Sequence, residues 1–242
     1  TRAPKRRAIS KVASWLPEST TSISSTKSRL AKHCSRLAAA LQVISTADRG
    51  SLAGDGSIGG YNGRLANFKG LSPMLKVLLI KMSSMGDLVH NLPLVSDIRA
   101  HFPDAQIDWV AEEAYAPIPS LHPAVRQVIP VAWRRWRRSL GQAKTWQEMK
   151  TFAATLRAVD YDLILDTQGL YKSVVVALLA HGDIVGGDRS SIKEGGAALF
   201  YNKRLPISRA RHVIERCRAV GAGALGYAAD TPPVFGISAE PL

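Results

Sequence analysis

Only two cysteines, Cys34 and Cys217, occur in the 242 residues. That scarcity argues against a disulfide framework and for a reducing compartment, so the expected location is the cytoplasm. No apolar run approaches the roughly 18–20 residues needed to span a bilayer, and the N-terminus lacks a hydrophobic secretory core. The dinucleotide fingerprint G-x-G-x-x-G is absent, and so is a Walker lysine. No pair of histidines or cysteines has metal-ligand spacing, which predicts no bound metal, and nothing calls for a cofactor. Acidic residues are few, 19 against 32 Lys and Arg, leaving a net charge of +13. Finally, no methionine precedes Met74.

What is present divides at that methionine. Residues 1–73 hold 12 Lys/Arg against 3 acids, while residues 74–242 hold 20 against 16. The first part is rich in Ser, Ala, Arg and Gly. Its stretch GSLAGDGSIGGYNG, residues 50–63, is a turn-forming tract that cannot bury a core. Residues 27–43 could form one basic amphipathic helix, readable as a transit peptide or a nucleic-acid arm. The simpler expectation is a disordered extension outside the native enzyme.

From Met74 onward short apolar runs recur at 75–80, 106–111, 127–131, 162–166 and 183–186. Segments with helical spacing lie between and after them, at 88–101, 144–158, 170–181 and 208–221. Nearly continuous apolar strands alternating with helices predict a parallel sheet covered on both faces. The right-handed crossover rule makes it an α/β, Rossmann-like, doubly wound domain. Its expected span is 74–227, with residues 228–242, which include Pro232 and Pro233, as a linker.

Three groups of residues could carry chemistry. The first apolar strand runs into Lys-Met-Ser-Ser-Met-Gly-Asp, residues 81–87, which places Asp87 and free backbone N–H groups at the carboxyl end of the sheet. Asp87 reads either as a helix N-cap or as a general base. The run Trp133-Arg-Arg-Trp-Arg-Arg138 interleaves two indoles with Arg134, Arg135, Arg137 and Arg138. On a helix the indoles would share a face, and the guanidiniums would suit a ligand with several anions. The same residues suit a membrane–water interface or a solvated charge run; a nucleic-acid site is weakened by the small charge excess of residues 74–242. After the fourth strand comes Asp166-Thr-Gln-Gly-Leu-Tyr-Lys172, where Asp166 reads as a cap or a functional group. Gln168 and Lys172 would point into the crevice that holds Asp87. His90 and His212 read as packed or solvated residues.

Five blocks in one order carry a family resemblance: Lys-Met-Ser-Ser-Met-Gly-Asp-Leu-Val-His (81–90), Ile-Asp-Trp-Val-Ala-Glu-Glu (107–113), Val-Ile-Pro-Val-Ala-Trp-Arg-Arg-Trp-Arg-Arg (128–138), Asp-Thr-Gln-Gly-Leu-Tyr-Lys-Ser (166–173) and Leu-Phe-Tyr-Asn (199–202). From Met74 to about Tyr227 the chain resembles the lipopolysaccharide heptosyltransferase I family, in glycosyltransferase family 9. That resemblance implies the N-terminal, acceptor-binding half of a GT-B enzyme. Such enzymes transfer L-glycero-D-manno-heptose from ADP-heptose to the inner Kdo of Kdo2-lipid A, inverting the anomeric centre. It implies Asp87 as catalytic base, with Ser84 beside it, and an acceptor patch on Arg134, Arg135, Arg137 and Arg138. Lys193 and His212 fall on further acceptor positions, and Gln168 and Lys172 are assigned with them.

The implied partners are Kdo2-lipid A, ADP-heptose and, peripherally, the cytoplasmic face of a Gram-negative inner membrane. No nucleic acid is expected. The family's donor-binding half has no counterpart in these residues, so the chain alone is expected not to turn over. Two rivals remain: a related heptosyltransferase with another core acceptor, and a stand-alone module binding polyanions or nucleic acid.

Overall fold

The structure, a computed structural model, describes residues 74–237. The helix expected over 27–43, the rest of the 1–73 extension and residues 238–242 lie outside the described residues.

The five expected strands are present: β1 (Lys76–Ile80), β2 (Gln106–Glu112), β3 (Val125–Val131), β4 (Asp160–Asp166) and β5 (His181–Gly187). A sixth, β6 (Lys203–Leu205), extends the sheet, and the order is β3-β2-β1-β4-β5-β6 with every pair parallel. This is the doubly wound topology expected of alternating strands and helices. β6 was missed because Lys-Arg-Leu is no apolar run. Its conformation comes from pairing with Val185, Gly186 and Gly187 of β5.

The helices are α1 (Met85–His101), α2 (Pro117–Ser120), α3 (Trp133–Trp136), α4 (Ala143–Arg157), α5 (Tyr171–Ala177) and α6 (Val213–Leu225). Two depart from the sequence pattern. α5 stops at Ala177 because residues 178–180 turn directly into β5 at His181. α6 begins five residues later than the apolar spacing suggested. Ser208 accepts the Arg211 N–H in a turn, and His212 then caps the helix.

Burial explains the order of the layers. Val77, Leu78, Leu79 and Ile80 of β1 are fully buried, as the central strand of a sheet covered on both faces must be. Each such side chain contributes about 1.5–3 kcal/mol relative to exposure. α1 and α6 lie against one face, and Gly221 lies where they meet: a Cβ there would press on the Leu94 side chain and the Tyr227 hydroxyl. The buried Arg218 guanidinium of α6 donates from Nε and Nη2 to Asp97 of α1, at 2.7 and 3.0 Å. It also donates to the carbonyl and hydroxyl of Thr231, at 2.7 and 3.1 Å. With Phe235 packed against the core, the segment expected as a linker is tied to this domain.

The strand order reverses between β1 and β4, where Ile80 sits beside Asp166. Helices leave the sheet in opposite directions on either side of that point. A crevice therefore opens at the carboxyl ends of the two strands, and this is where ligands are held in such sheets.

Candidate active site

The loop between β1 and α1 is fastened on several sides. The buried Trp109 indole donates to the Lys81 carbonyl at 3.0 Å. The Gln168 side-chain oxygen accepts the N–H groups of Met82 and Ser83, at 2.9 and 3.1 Å. Lys172 Nζ donates to the Ser83 hydroxyl at 2.8 Å, and Lys81 Nζ donates to the Thr167 carbonyl at 2.9 Å. Side chains from β2, from the loop after β4 and from α5 thus fix residues 81–83 of the turn. Gln168 and Lys172, read from the sequence as ligand contacts, are first of all braces of this loop.

Asp87 is not the N-cap of α1. Ser84 holds that position with extended backbone, and Asp87 is the third helical residue, reaching back in a capping box. Its Oδ2 accepts the Ser84 N–H at 2.8 Å and the Ser84 hydroxyl at 3.0 Å. Oδ1 accepts no hydrogen bond among the described residues and is left for the crevice that Asp87 lines. Capping and proton acceptance, offered as alternatives, are compatible because they use different oxygens. Partial burial pushes the Asp87 carboxyl up. The Ser84 N–H, the Lys81 charge, the Ser84 hydroxyl and His90 together outweigh it and hold the pKa below the ordinary aspartate value. That direction favours the carboxylate form of Asp87.

The crevice has a volume of about 300 Å³ and brings Asp87, Gln168 and Lys193 together. It also contains two cations that sequence reasoning did not nominate. Lys81 is only 5% exposed. Arg216 Nη2 donates to the Ser191 carbonyl at 2.9 Å, while its buried Nε has no partner. A signal for Arg216 was available: Val213, Arg216, Cys217 and Val220 line the crevice at helical spacing. Cys217 is a buried part of the crevice wall, and burial pushes its thiol up.

Asp166 is fully buried and makes no helix cap. Oδ1 accepts the N–H groups of Gln168 and Gly169 at 2.9 and 3.1 Å, and Oδ2 accepts the hydroxyls of Ser173 and Tyr201, each at 2.8 Å. Burial pushes its pKa up against those four bonds. It shapes the second loop, in which Gly169 has φ +66 and a Cβ would collide with Ile192 at 2.8 Å.

The arginine run follows β3, the edge strand, two strands from β1. Its four guanidiniums are not equivalent. Arg135 donates to both Glu113 oxygens, at 3.1 and 3.0 Å, and to Glu148 at 2.6 Å, so it is committed internally. Arg134 lies over the Tyr115 ring at 5.5 Å. Arg137 and Arg138 are exposed, and their side chains make no hydrogen bond or ion pair among the described residues. The two indoles do not share an exposed face. Trp136 is buried against Phe152 and donates to Glu148 at 2.8 Å, while Trp133 is half-buried.

The patch is electrostatically joined to the loop through Lys172. Burial lowers the Lys172 pKa; Glu112 opposes the fall, and Arg134, Glu194 and Arg137 act within the same field. His212, expected near the acceptor, caps α6 by accepting the Ile214 N–H at 3.3 Å and meets His90 edge-on at 5.7 Å. It lies outside the crevice lining, one turn before Arg216. Among the described residues no group of three His, Cys, Asp or Glu could hold a metal ion. No helix there is long and apolar enough to cross a membrane.

Residues 149–241 match the model of glycosyltransferase family 9 (heptosyltransferase). Lipopolysaccharide heptosyltransferase 1 of Escherichia coli K12 is 46% identical over 154 residues, 63% of this chain and 48% of the relative. The chain thus spans about half the length of that relative. Among solved structures, E. coli heptosyltransferase WaaC with ADP superimposes with a TM-score of 0.66 at 43% identity, covering 67% of this chain and 51% of that one. WaaC with ADP-2-deoxy-2-fluoro heptose gives 0.65 at 44% identity, covering 66% and 52%. The resemblance read from the five sequence blocks is borne out by these matches.

Proposed function

We propose that this chain is the acceptor-binding half of an inverting GT-B heptosyltransferase that moves L-glycero-D-manno-heptose from ADP-heptose to Kdo2-lipid A. The observation that carries the reading is Asp87 Oδ1, which accepts no hydrogen bond among the described residues, on a residue that lines the crevice at the strand-order switch. Residues 74–237 form the acceptor domain, with Thr231 and Phe235 held against it, and a separate donor half completes the enzyme. That half holds ADP-heptose across a cleft.

The chemistry needs a single base. As a Kdo hydroxyl oxygen attacks the anomeric carbon, its proton passes to Asp87 Oδ1. The new carbon–oxygen bond forms as the bond to the ADP phosphate breaks, and ADP leaves with that electron pair. Attack from the face opposite the leaving group inverts the centre. The Ser84 bonds to Oδ2 hold the carboxylate in register while Oδ1 takes the proton. A base whose pKa is depressed gains little from early proton transfer. Rate must then come from aligning the two substrates, which can supply several kcal/mol.

Arg134, Arg137 and Arg138, with Lys172 and Lys193, supply positive charge for an acceptor carrying carboxylates and phosphates. Trp133 and the exposed Arg137 and Arg138 suit contact with an anionic leaflet at the cytoplasmic face of the inner membrane. The testing experiment joins this chain to a donor half and compares heptose transfer by the parent and by Asp87→Asn. Transfer from ADP-heptose to Kdo2-lipid A that falls at least about 100-fold supports the reading. Activity within a few-fold of the parent overturns it.

A further inference from the structure

Asp166 divides its two oxygens between two parts of the crevice. It ends β4 between Ile80 of β1 and Gly186 of β5 and is 1% exposed. Oδ1 accepts the N–H groups of Gln168 and Gly169, at 2.9 and 3.1 Å. With its backbone held in this way, Gln168 extends its side-chain oxygen to the N–H groups of Met82 and Ser83, in the loop that leads to Asp87. Oδ2 accepts the Ser173 hydroxyl and the Tyr201 hydroxyl, each at 2.8 Å. Tyr201 closes the segment whose Ser191, Ile192 and Lys193 line the crevice.

Gly186 makes the reach of Tyr201 possible. A Cβ there would stand 2.5 Å from the ring, so a residue without a side chain lets the ring lie over β5 and meet Asp166. The same segment is fastened again at Glu194. Its carboxylate accepts the Tyr171 N–H at 2.6 Å, and its own N–H donates to the Gly169 carbonyl at 3.3 Å. The loop after β4 is therefore bonded on one side to the loop of the proposed base and on the other to the 191–201 wall. Buried networks around an ionisable group hold one geometry when their members are satisfied.

We infer that Asp166 and Tyr201 are positioning residues, which act through Gln168 on one side and the 191–201 segment on the other to set the width of the crevice in which Asp87 meets its acceptor. The inference rests on the proposed function and deepens it. The Tyr201 hydroxyl is committed to Asp166, and Asp166 is enclosed by its four bonds, so their effect on the reaction passes through other residues. When the link is cut, the two walls lose their common register and Asp87 is no longer aligned with the attacking hydroxyl. Such a defect lowers kcat more than it weakens binding of the donor.

The test is Tyr201→Phe, which removes the hydroxyl and keeps the ring over Gly186. In the isotopically labelled 242-residue chain, amide exchange should quicken at residues 168 and 169 and, one step further, at 82 and 83. The β2 amides 107–111 should exchange as in the parent. With the chain joined to a donor half, kcat for heptose transfer should fall about tenfold, within the roughly 100-fold that a misplacement of about 1 Å can cost. The KM for ADP-heptose should not change. Tyr161→Phe is the matched control, because it also removes a buried 2.8 Å bond from a tyrosine hydroxyl to a carboxylate, that of Asp108, outside the crevice lining. It should lower the urea midpoint about as far as Tyr201→Phe does, yet leave kcat and exchange at 82 and 83 unchanged. Asp166→Ala is a risk to folding, so the two tyrosine variants decide the matter.

The positioning role is overturned if Tyr201→Phe alters exchange only at residues 198–202, if it leaves kcat at the parent's value, or if Tyr161→Phe lowers kcat equally. Asp87→Asn in the same joined enzyme separates the two levels. If it leaves transfer intact, the proposed function falls whatever the exchange shows. If it abolishes transfer while Tyr201→Phe changes nothing, the proposed function stands and only the positioning role falls.

Discussion

The ammonium of Lys172, on the first turn of α5, donates to the hydroxyl of Ser83 at 2.8 Å, while Gln168 accepts the Ser83 N–H at 3.1 Å. One residue of the first loop is therefore held through both backbone and side chain by the second loop. The carboxyl ends of β1 and β4 become one rigid rim, and Asp87 stands on it. Half-buried between the loops, Lys172 also joins that rim to the arginines after β3 through their shared field.

This brace is testable without any substrate. Gln168→Leu removes the acceptor shared by Met82 and Ser83 and leaves two N–H groups unpaired in a part-buried place. The expected loss is about 1–3 kcal/mol in urea unfolding, with faster amide exchange confined first to residues 82 and 83. Gln168→Glu keeps an acceptor oxygen and should recover most of the loss. Unaltered exchange at those two amides in the leucine variant would show that the loop does not depend on Gln168.

A second expectation separates the arginines. Arg137→Ala with Arg138→Ala should weaken binding of anionic micelles and flatten its salt dependence, because two solvated charges are lost. Arg135→Ala should leave that binding close to the parent. Its guanidinium is already occupied by Glu113 and Glu148, which hold α3 against the 3-10 turn at residues 113–115 and against α4. Micelle pull-down across a salt series reads both. A larger defect in the Arg135 variant would reverse the assignment.

The sheet was legible because each buried parallel strand is an unbroken apolar run in the sequence, as Val77–Ile80 shows. The parallel order also follows from strands alternating with helices. β6 was illegible for the opposite reason, since backbone pairing and not side-chain pattern defines it. At the site, Asp87 and the loop that carries it could be read from position alone. Lys81 and Arg216 could not, because a lysine ending a strand and an arginine on a basic helix look solvated until the crevice is seen. Sequence also could not say that Arg135 was spent on glutamates far along the chain, nor that Trp136 belonged to the core. Those facts depend on which elements meet.

The Arg218–Asp97 pair offers a sharper stability measurement. Both side chains are nearly buried, 6% and 8% exposed, and the same guanidinium holds Thr231. Arg218→Met leaves a buried carboxylate uncompensated and should cost about 3–5 kcal/mol. The double variant with Asp97→Leu should cost clearly less, because no charge is then stranded. Urea unfolding of the two single variants and the double variant gives the coupling. Additive losses would mean that the pair contributes nothing beyond its separate parts.

The last expectation concerns pH. The Asp87 pKa lies below its ordinary value in the folded chain, because the Ser84 bonds and the Lys81 charge outweigh partial burial. A depressed carboxyl stabilises the fold above the unfolded pKa of about 3.9, and that contribution is lost as pH falls through the lower folded value. Ser84→Ala removes the hydroxyl bond to Oδ2 but keeps the backbone N–H bond. The Asp87 pKa should therefore rise part of the way back, as read by carboxyl-carbon NMR of the 242-residue chain. The parent should be the more stable of the two near neutrality. The gap should narrow as both carboxyls become protonated, between roughly pH 5 and pH 2. A gap independent of pH would mean that the serine acts through helix packing and not through the charge on Asp87. A fall in the Asp87 pKa on losing the hydroxyl would contradict the hydrogen-bond geometry itself.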